Sequence, residues 1–296
     1  MPCWCSPAES AHVSSALLQR SGFRTSGKSA DPRVSWILLT NDDGIDSPAL
    51  APFARALSDL GTVRVVVPDR ERSWVGKAIT RFDPIRVEKV GLDGGEAWTC
   101  TGFPADAVQI GIHELFDEPP SLVVSGINVG YNHGAAFLMS SGTIGAAVEG
   151  WVSGVPSIAV STGGTGDWST WKRKVHEREA LFEWERLSNV ATSLVDEARR
   201  SGLLDLADVV TINLPFETTI DTPRRVTTVA RVGYDRLFSE QGDGIYTHDF
   251  GGGFVEFDGI DGSDLATARK GYVSITPLRM PAASTVPDDV RARLER

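Results

Sequence analysis

The chain is poor in the residues that carry covalent and soft-metal chemistry. Only three cysteines occur among 296 residues: Cys3, Cys5 and Cys100. So few exclude a disulfide framework and point to a reducing, cytoplasmic setting. Cys3-x-Cys5 has no second pair with which to complete a zinc site. The five histidines are scattered. His12, His113, His176 and His248 have no partner at ligand spacing and read as surface or core residues, whereas His133 lies in a glycine-rich loop that a substrate could reach. No apolar run approaches the ~20 residues of a membrane-spanning helix. Basic residues are also short: 29 Lys and Arg against 39 Asp and Glu give a net charge of -10. That balance argues against a nucleic-acid polymer or an anionic membrane as partner. Any anionic ligand must therefore be held locally, by a metal, backbone amides or single basic residues. Three motifs are missing as well. There is no GxSxG elbow, no GxxxxGK[ST] loop, and no GxGxxG after the first strand. Their absence speaks against a common serine hydrolase, a P-loop NTPase and a dinucleotide-binding domain.

What is present is enough for one large domain with an appendage, since 41% of the residues are hydrophobic. Residues 1–33 differ from the rest, being rich in serine with scattered Arg and Lys. They read as a disordered extension, with a transit peptide or a start near Val34 as alternatives. From Val34 onward, short β-branched runs alternate with helical stretches. Strands are expected at Val34–Thr40, Thr62–Val67, Leu122–Ser125, Ser157–Ser161 and Val209–Leu214. Ser47 and Pro48 suggest a helix start, with Pro52 arguing for a later one. Leu50, Phe53, Ala54, Leu57 and Leu60 recur at helical spacing. Residues 78–90 and 97–101 look like a β excursion. Helices are expected from Pro104 to about Phe116, over 144–152, and on a stripe of Leu181, Trp184, Leu187, Ala191, Leu194, Val195 and Ala198. This order predicts a Rossmann-like three-layer α/β/α core over 34–215 with a mainly parallel sheet. Residues 216–270 read as an extended β-hairpin arm. Residues 271–296 read as a return strand and a terminal helix.

Three loops fall at the C-terminal edge of the predicted sheet, where open α/β sheets collect ligands. Asn41-Asp42-Asp43-Gly44 follows the first strand. Ser73 ends the loop Pro68-Asp-Arg-Glu-Arg-Ser73 after the second. Asn128 lies in the glycine-rich loop Gly126–Gly134 after the third. Adjacent carboxylates repel each other unless a cation or a proton sits between them. Asp42, Asp43, Ser73 and Asn128 together offer only oxygen, a set suited to Mg²⁺, Mn²⁺ or Ca²⁺ and poorly suited to zinc. The bland reading makes the two aspartates turn and cap residues, which their place after a buried strand weakens. Ser140-Ser-Gly-Thr143 precedes a helix and could bind an anion, or Ser141 could be an ordinary N-cap. Trp74, beside Ser73, is either a base-stacking surface or a hydrophobic plug.

These residues together resemble the SurE (survival protein E) family. The resemblance is carried by Ile37-Leu-Leu-Thr-Asn-Asp-Asp-Gly-Ile45, Pro68–Ser73, Thr101-Gly-Phe-Pro-Ala-Asp106, Val124-Ser-Gly-Ile-Asn-Val-Gly130, Ser141-Gly-Thr143 with Glu149-Gly150, Ile212-Asn-Leu-Pro215 and Gly271–Pro277. Any one motif is weak; seven in the same order and spacing are strong. The resemblance implies a metal-dependent 5'/3'-nucleotidase with one divalent ion per subunit, Mg²⁺ or Mn²⁺. Its ligands fall on Asp42, Asp43, Ser73 and Asn128, and its phosphate-binding positions on Asn41, Gly44, Ser141, Gly142 and Thr143. The substrate it implies is a nucleoside monophosphate, hydrolysed by metal-activated water with Asp42 or Asp43 orienting it. A homodimer or homotetramer is implied as well. Rival readings are an aspartyl-phosphate route, a broader acid-phosphatase or polyphosphate activity, and a nucleotide-binding module without turnover. The chain departs from the family at Trp74-Val-Gly-Lys77, where the family carries a small residue and a neutral polar one. Lys77 is thus a further candidate for phosphate contact.

Overall fold

The computed structural model describes residues 35–251, 253–280 and 285–295, so the expectations for residues 1–33 lie outside it. Strand β1, Trp36–Thr40, is buried along its whole length, as a strand covered on both faces requires. Helix α1, Leu50–Leu57, starts after a turn and is capped by Ala49. Ser47 does not cap it with its hydroxyl; its carbonyl instead accepts from the Leu50 amide at 3.1 Å. Pro52 sits in the first turn, where its missing N–H removes no helical bond. Strand β2 is Thr62–Pro68. Strands β3, Val87–Leu92, and β4, Gly95–Cys100, make a hairpin whose second strand lies parallel to β2. The expected excursion is therefore shorter than read, with no strand over 78–86, and it widens the main sheet.

Helix α2 spans Pro104–His113, and the Asp106 carboxylate accepts from the Phe103 amide at 2.8 Å to fix its start. Strand β5 runs Leu122–Val129, so it takes in residues expected in the loop that follows. Helices α3, Gly134–Ser140, and α4, Gly142–Val152, lead to strand β6, Ser157–Gly163. Helix α5, Trp168–Val175, precedes the long α6, Leu181–Arg200, the one-turn α7, Leu203–Leu206, and strand β7, Val209–Pro215. Leu181 is exposed, but the rest of the expected stripe on α6 is buried from Trp184 to Ala198. No helix among the described residues is long and apolar enough to cross a membrane.

Beyond β7 the chain is mostly β. Strand β8, Arg224–Val226, is followed by β9, Val232–Tyr234, β10, Phe238–Gly242, β11, Ile245–His248, and β12, Phe254–Glu256. Strands β9 and β12 pair antiparallel as the base of an arm, and β10 and β11 form its terminal hairpin. Helix α8, Asp264–Arg269, leads into β13, Val273–Leu278, and α9 spans Asp288–Leu294. Strand β13 returns to the main sheet antiparallel to β7 and parallel to β8.

The main sheet has the order β3-β4-β2-β1-β5-β6-β7-β13-β8, and its six central strands are parallel. Phe53 and Leu57 of α1 pack with Trp184, Leu187 and Leu194 of α6 in one hydrophobic cluster. Val108 and Ile112 of α2 and Ala146 of α4 belong to a second, with Leu38, Val66 and Val123 of the sheet. This is the expected three-layer α/β/α core with a hairpin arm. The chain leaves β1 toward β2 on one side and comes back as β5 on the other. The direction of the strand order switches at β1 and β5, the kind of point at whose carboxyl ends open α/β sheets bind ligands.

Candidate active site

The turn after β1 is built around its own side chains. The Asn41 carboxamide accepts from the Gly44 amide and donates to the Gly44 carbonyl, both at 3.0 Å. Gly44 has φ +85°, and a Cβ there would lie 2.5 Å from the Arg70 carbonyl carbon. Only glycine fits, because the β2 loop runs directly over the turn. The Arg72 amide then donates to the Asp42 carbonyl at 2.7 Å, tying that loop to the turn.

Each aspartate is held by a different element. The Thr143 hydroxyl, in the first turn of α4, donates to Asp42 Oδ1. Gly142 packs against Asp42 so closely that a Cβ would meet the Asp42 side chain at 2.8 Å. The Val129 amide, at the end of β5, donates to Asp43 Oδ2 at 3.0 Å. Burial raises the Asp42 pKa to about 6 against the opposing Thr143 hydrogen bonds. Burial and then the neighbouring Asp42 charge raise Asp43 to about 8, against the Val129 amide. A buried and a half-buried carboxylate side by side are costly to ionise together without a cation.

Ser73 and Asn128 are the other two candidate ligands. The Ser73 hydroxyl donates to Glu71 Oε1 at 2.7 Å, which leaves its oxygen lone pairs available. Glu71 is in turn held by the Lys172 ammonium of α5 at 3.1 Å. Partial burial pushes the Glu71 carboxyl up, but the hydrogen bonds from Ser73 and Lys172 outweigh it and its pKa is lowered. The Asn128 amide nitrogen donates to the Gly130 carbonyl at 2.6 Å, so the amide oxygen is turned away from that bond. Asn128 lies within β5 rather than after it, just past a register shift against β6 that begins at Ser125. At Gly126 within that irregularity, φ is +134° and a Cβ would collide with the Val160 carbonyl oxygen. The donor set is thus two carboxylates, a hydroxyl and a carboxamide, which fits a hard divalent cation. No three His, Cys, Asp or Glu side chains cluster as a metal site among the described residues. A cation held here would take the rest of its coordination from neutral oxygens.

The other candidates divide. Ser141 is the N-cap of α4, its hydroxyl accepting from the Ile144 amide at 3.1 Å. Gly142 and Thr143 meet Asp42. Asn41 and Gly44 form the floor of the turn, with the Asn41 side chain committed to Gly44. Lys77 is not drawn to this cluster by its contacts: its ammonium pairs with the buried Glu149 carboxylate of α4. Glu71 and Lys172 were missed by the sequence reading. Glu71 could have been suspected from its place two residues before Ser73, but Lys172 sits 101 residues away from Glu71 with no local signal.

The sequence profile described as survival protein SurE matches residues 37–237. The chain belongs to the SurE family. A SurE relative named 5'-nucleotidase SurE, from Methanocella arvoryzae, is 36% identical over 250 residues, covering 82% of this chain and 91% of the relative. Another of that name, from Methanothermobacter thermautotrophicus, is 40% identical over 205 residues, covering 69% of this chain and 74% of its own. The crystal structure of the SurE protein from Aquifex aeolicus superposes with a TM-score of 0.67 at 28% identity. It covers 88% of this chain and all of that one.

Proposed function

We propose that the chain is a divalent-cation-dependent nucleotidase that hydrolyses nucleoside 5'- and 3'-monophosphates to nucleoside and phosphate. The observation that carries this reading is the bond from the Val129 amide to Asp43, which joins the β1 turn to the strand bearing Asn128 at the switch point of the sheet. Membership of a family whose relatives are named 5'-nucleotidase supports it. Asp42, Asp43, Ser73 and Asn128 hold the cation. When bound, it supplies positive charge for the phosphoryl oxygens and lowers the pKa of a water, Mg²⁺ or Mn²⁺ being the suitable ions. The part of the protein is positional. Thr143 and Val129 each fix one carboxylate oxygen, so neither aspartate must reorganise during the reaction. Glu71 accepts the hydrogen bond of the Ser73 hydroxyl and so keeps the oxygen lone pairs free for the site. The N-terminus of α4 places its dipole behind Asp42, close to where a phosphate would lie.

Exposed apolar side chains on the arm, Phe238, Ile245 and Tyr246, support assembly into two or four copies, which sedimentation would measure. The function is tested by phosphate release from AMP, GMP and their 3' isomers with Mg²⁺, Mn²⁺ or EDTA. The expected result is release that EDTA abolishes. Nucleotide binding without release under any metal would favour a binding module instead.

A further inference from the structure

We propose that Trp74 selects nucleosides, its indole forming the wall on which the base of the substrate stacks beside the phosphate site. This rests on the nucleotidase reading and adds to it the residue that distinguishes a nucleotide from a simple sugar phosphate.

Three non-glycine residues among those described have positive φ: Trp74, Asp93 and Asp243. The two aspartates precede Gly94 and Gly244 in two-residue hairpin turns, where that conformation is the rule. Trp74 has φ +62° and no hairpin to explain it. A bulky side chain in that region is an outlier, and such strain persists where the surrounding structure holds it in place. What holds it here is a set of rings. Trp74 lies 4.7 Å from His248, 5.4 Å from Tyr234, 5.5 Å from Phe137 and 5.6 Å from Phe250, measured between ring centroids. Phe137 comes from α3; the other three come from the arm. A hydrophobic plug with four ring neighbours should be buried, as Trp36, Trp171 and Trp184 are at 5%, 8% and 1% exposure. Trp74 instead remains 37% exposed.

The exposed indole stands next to Ser73 in the chain, and its ring cluster is fastened to the residue that precedes the start of α4. The Gly76 amide donates to the Ser140 carbonyl at 2.8 Å. The Ser140 and Tyr234 hydroxyls hydrogen-bond at 2.6 Å. Ser140 adjoins the 141–143 turn that holds Asp42. An aromatic surface therefore lies between the Ser73 loop, the start of α4 and the arm. A flat, uncharged heterocycle attached to a phosphate is the ligand such a surface recognises, because every base offers a π-face to an aromatic side chain.

The test uses the full chain and Trp74→Gly, which suits the left-handed backbone, with Trp74→Phe as the variant that keeps a ring. The readout is the ratio of kcat/KM for AMP to kcat/KM for ribose 5-phosphate, with Mn²⁺ present. Stacking predicts that Trp74→Gly lowers this ratio by about 5- to 150-fold, and that Trp74→Phe recovers part of it. An unchanged ratio overturns the proposal, including the case where both substrates lose activity equally, as a structural plug or an arm anchor would produce. Adenosine binding by calorimetry, with no metal and no phosphate, provides a second arm. If the wild type releases no phosphate from any ester, the nucleotidase reading fails. The proposal then stands if Trp74→Gly loses adenosine binding, and falls if wild type and variant bind alike or neither binds.

Discussion

The β1 turn and the Ser73–Lys77 loop meet at one sheet edge but are built in opposite ways. In the turn, Asn41, Asp42 and Gly44 are buried, and every polar side chain has a fixed internal partner. In the loop, Ser73 and Trp74 are exposed, and contacts come from distant elements: Lys172 through Glu71, Ser140, and the rings of the arm. A buried, braced turn can hold charge in one geometry, which catalysis by a cation needs. A loop anchored at its ends and open at its middle can change its side chains without disturbing that geometry. Under the proposed function the division lies between the cation ligands Asp42, Asp43 and Ser73 and the loop from Trp74 onward, which meets the substrate.

The largest expected effect that would break this division is on the turn. Asp43→Asn should lower kcat for AMP on the order of 100- to 1,000-fold while leaving the metal-free protein at least as stable, since it removes a carboxylate that burial disfavours. Wild-type activity in this variant would move the chemistry elsewhere. Gly44→Ala should destabilise by ~1–3 kcal/mol in urea unfolding, because a Cβ meets the Arg70 backbone. An unchanged midpoint would mean that the loop is not pressed onto the turn.

The paired pKa shifts sharpen the comparison further. Both carboxyl pKa values are raised in the fold, to about 6 and about 8, above the ~4 of an unfolded aspartate. The folded, metal-free chain thus keeps protons that the unfolded chain gives up. This contribution is complete below pH ~4 and is lost as the pH rises to about 8. A divalent cation replaces those protons, so Mg²⁺ or Mn²⁺ should raise the melting temperature more at pH 8 than at pH 5. Equal shifts at both values would argue against binding at this pair. The smallest effect is expected in the loop: Glu71→Ala, which frees the Ser73 hydroxyl, should weaken Mn²⁺ binding ~10-fold with little change in stability. No change in affinity would remove Ser73 from the ligand set.

Much of the architecture was legible because strong local patterns agreed with it. The continuous apolar run of β1 and the stripe on α6 could have only one placement in a covered parallel sheet. The place of the two aspartates at the sheet edge is legible for the same reason, since they stand directly after a buried strand. Other features depended on contacts that no local pattern encodes. Asn128 was expected in a loop, since Gly126 suggested a break, but glycine is there because β6 approaches too closely for a side chain. Helix α3 was not foreseen, its seven residues starting at a glycine and lacking a side-chain cap. Lys77 stands out in the sequence only as a charge where the family pattern has a neutral residue, and its pairing with the buried Glu149 carboxylate is a contact no local pattern encodes. The Thr143 hydroxyl donates to Asp42, a bond between residues 101 positions apart that the local sequence does not show.

The proposed function requires one cation held by Asp42, Asp43, Ser73 and Asn128. Calorimetric titration of Mn²⁺ into the metal-free chain, and into the Asp42→Asn and Asp43→Asn double variant, measures this. One site per chain in the wild type, lost in the variant, is the predicted result. Binding of equal stoichiometry and affinity in both would contradict it.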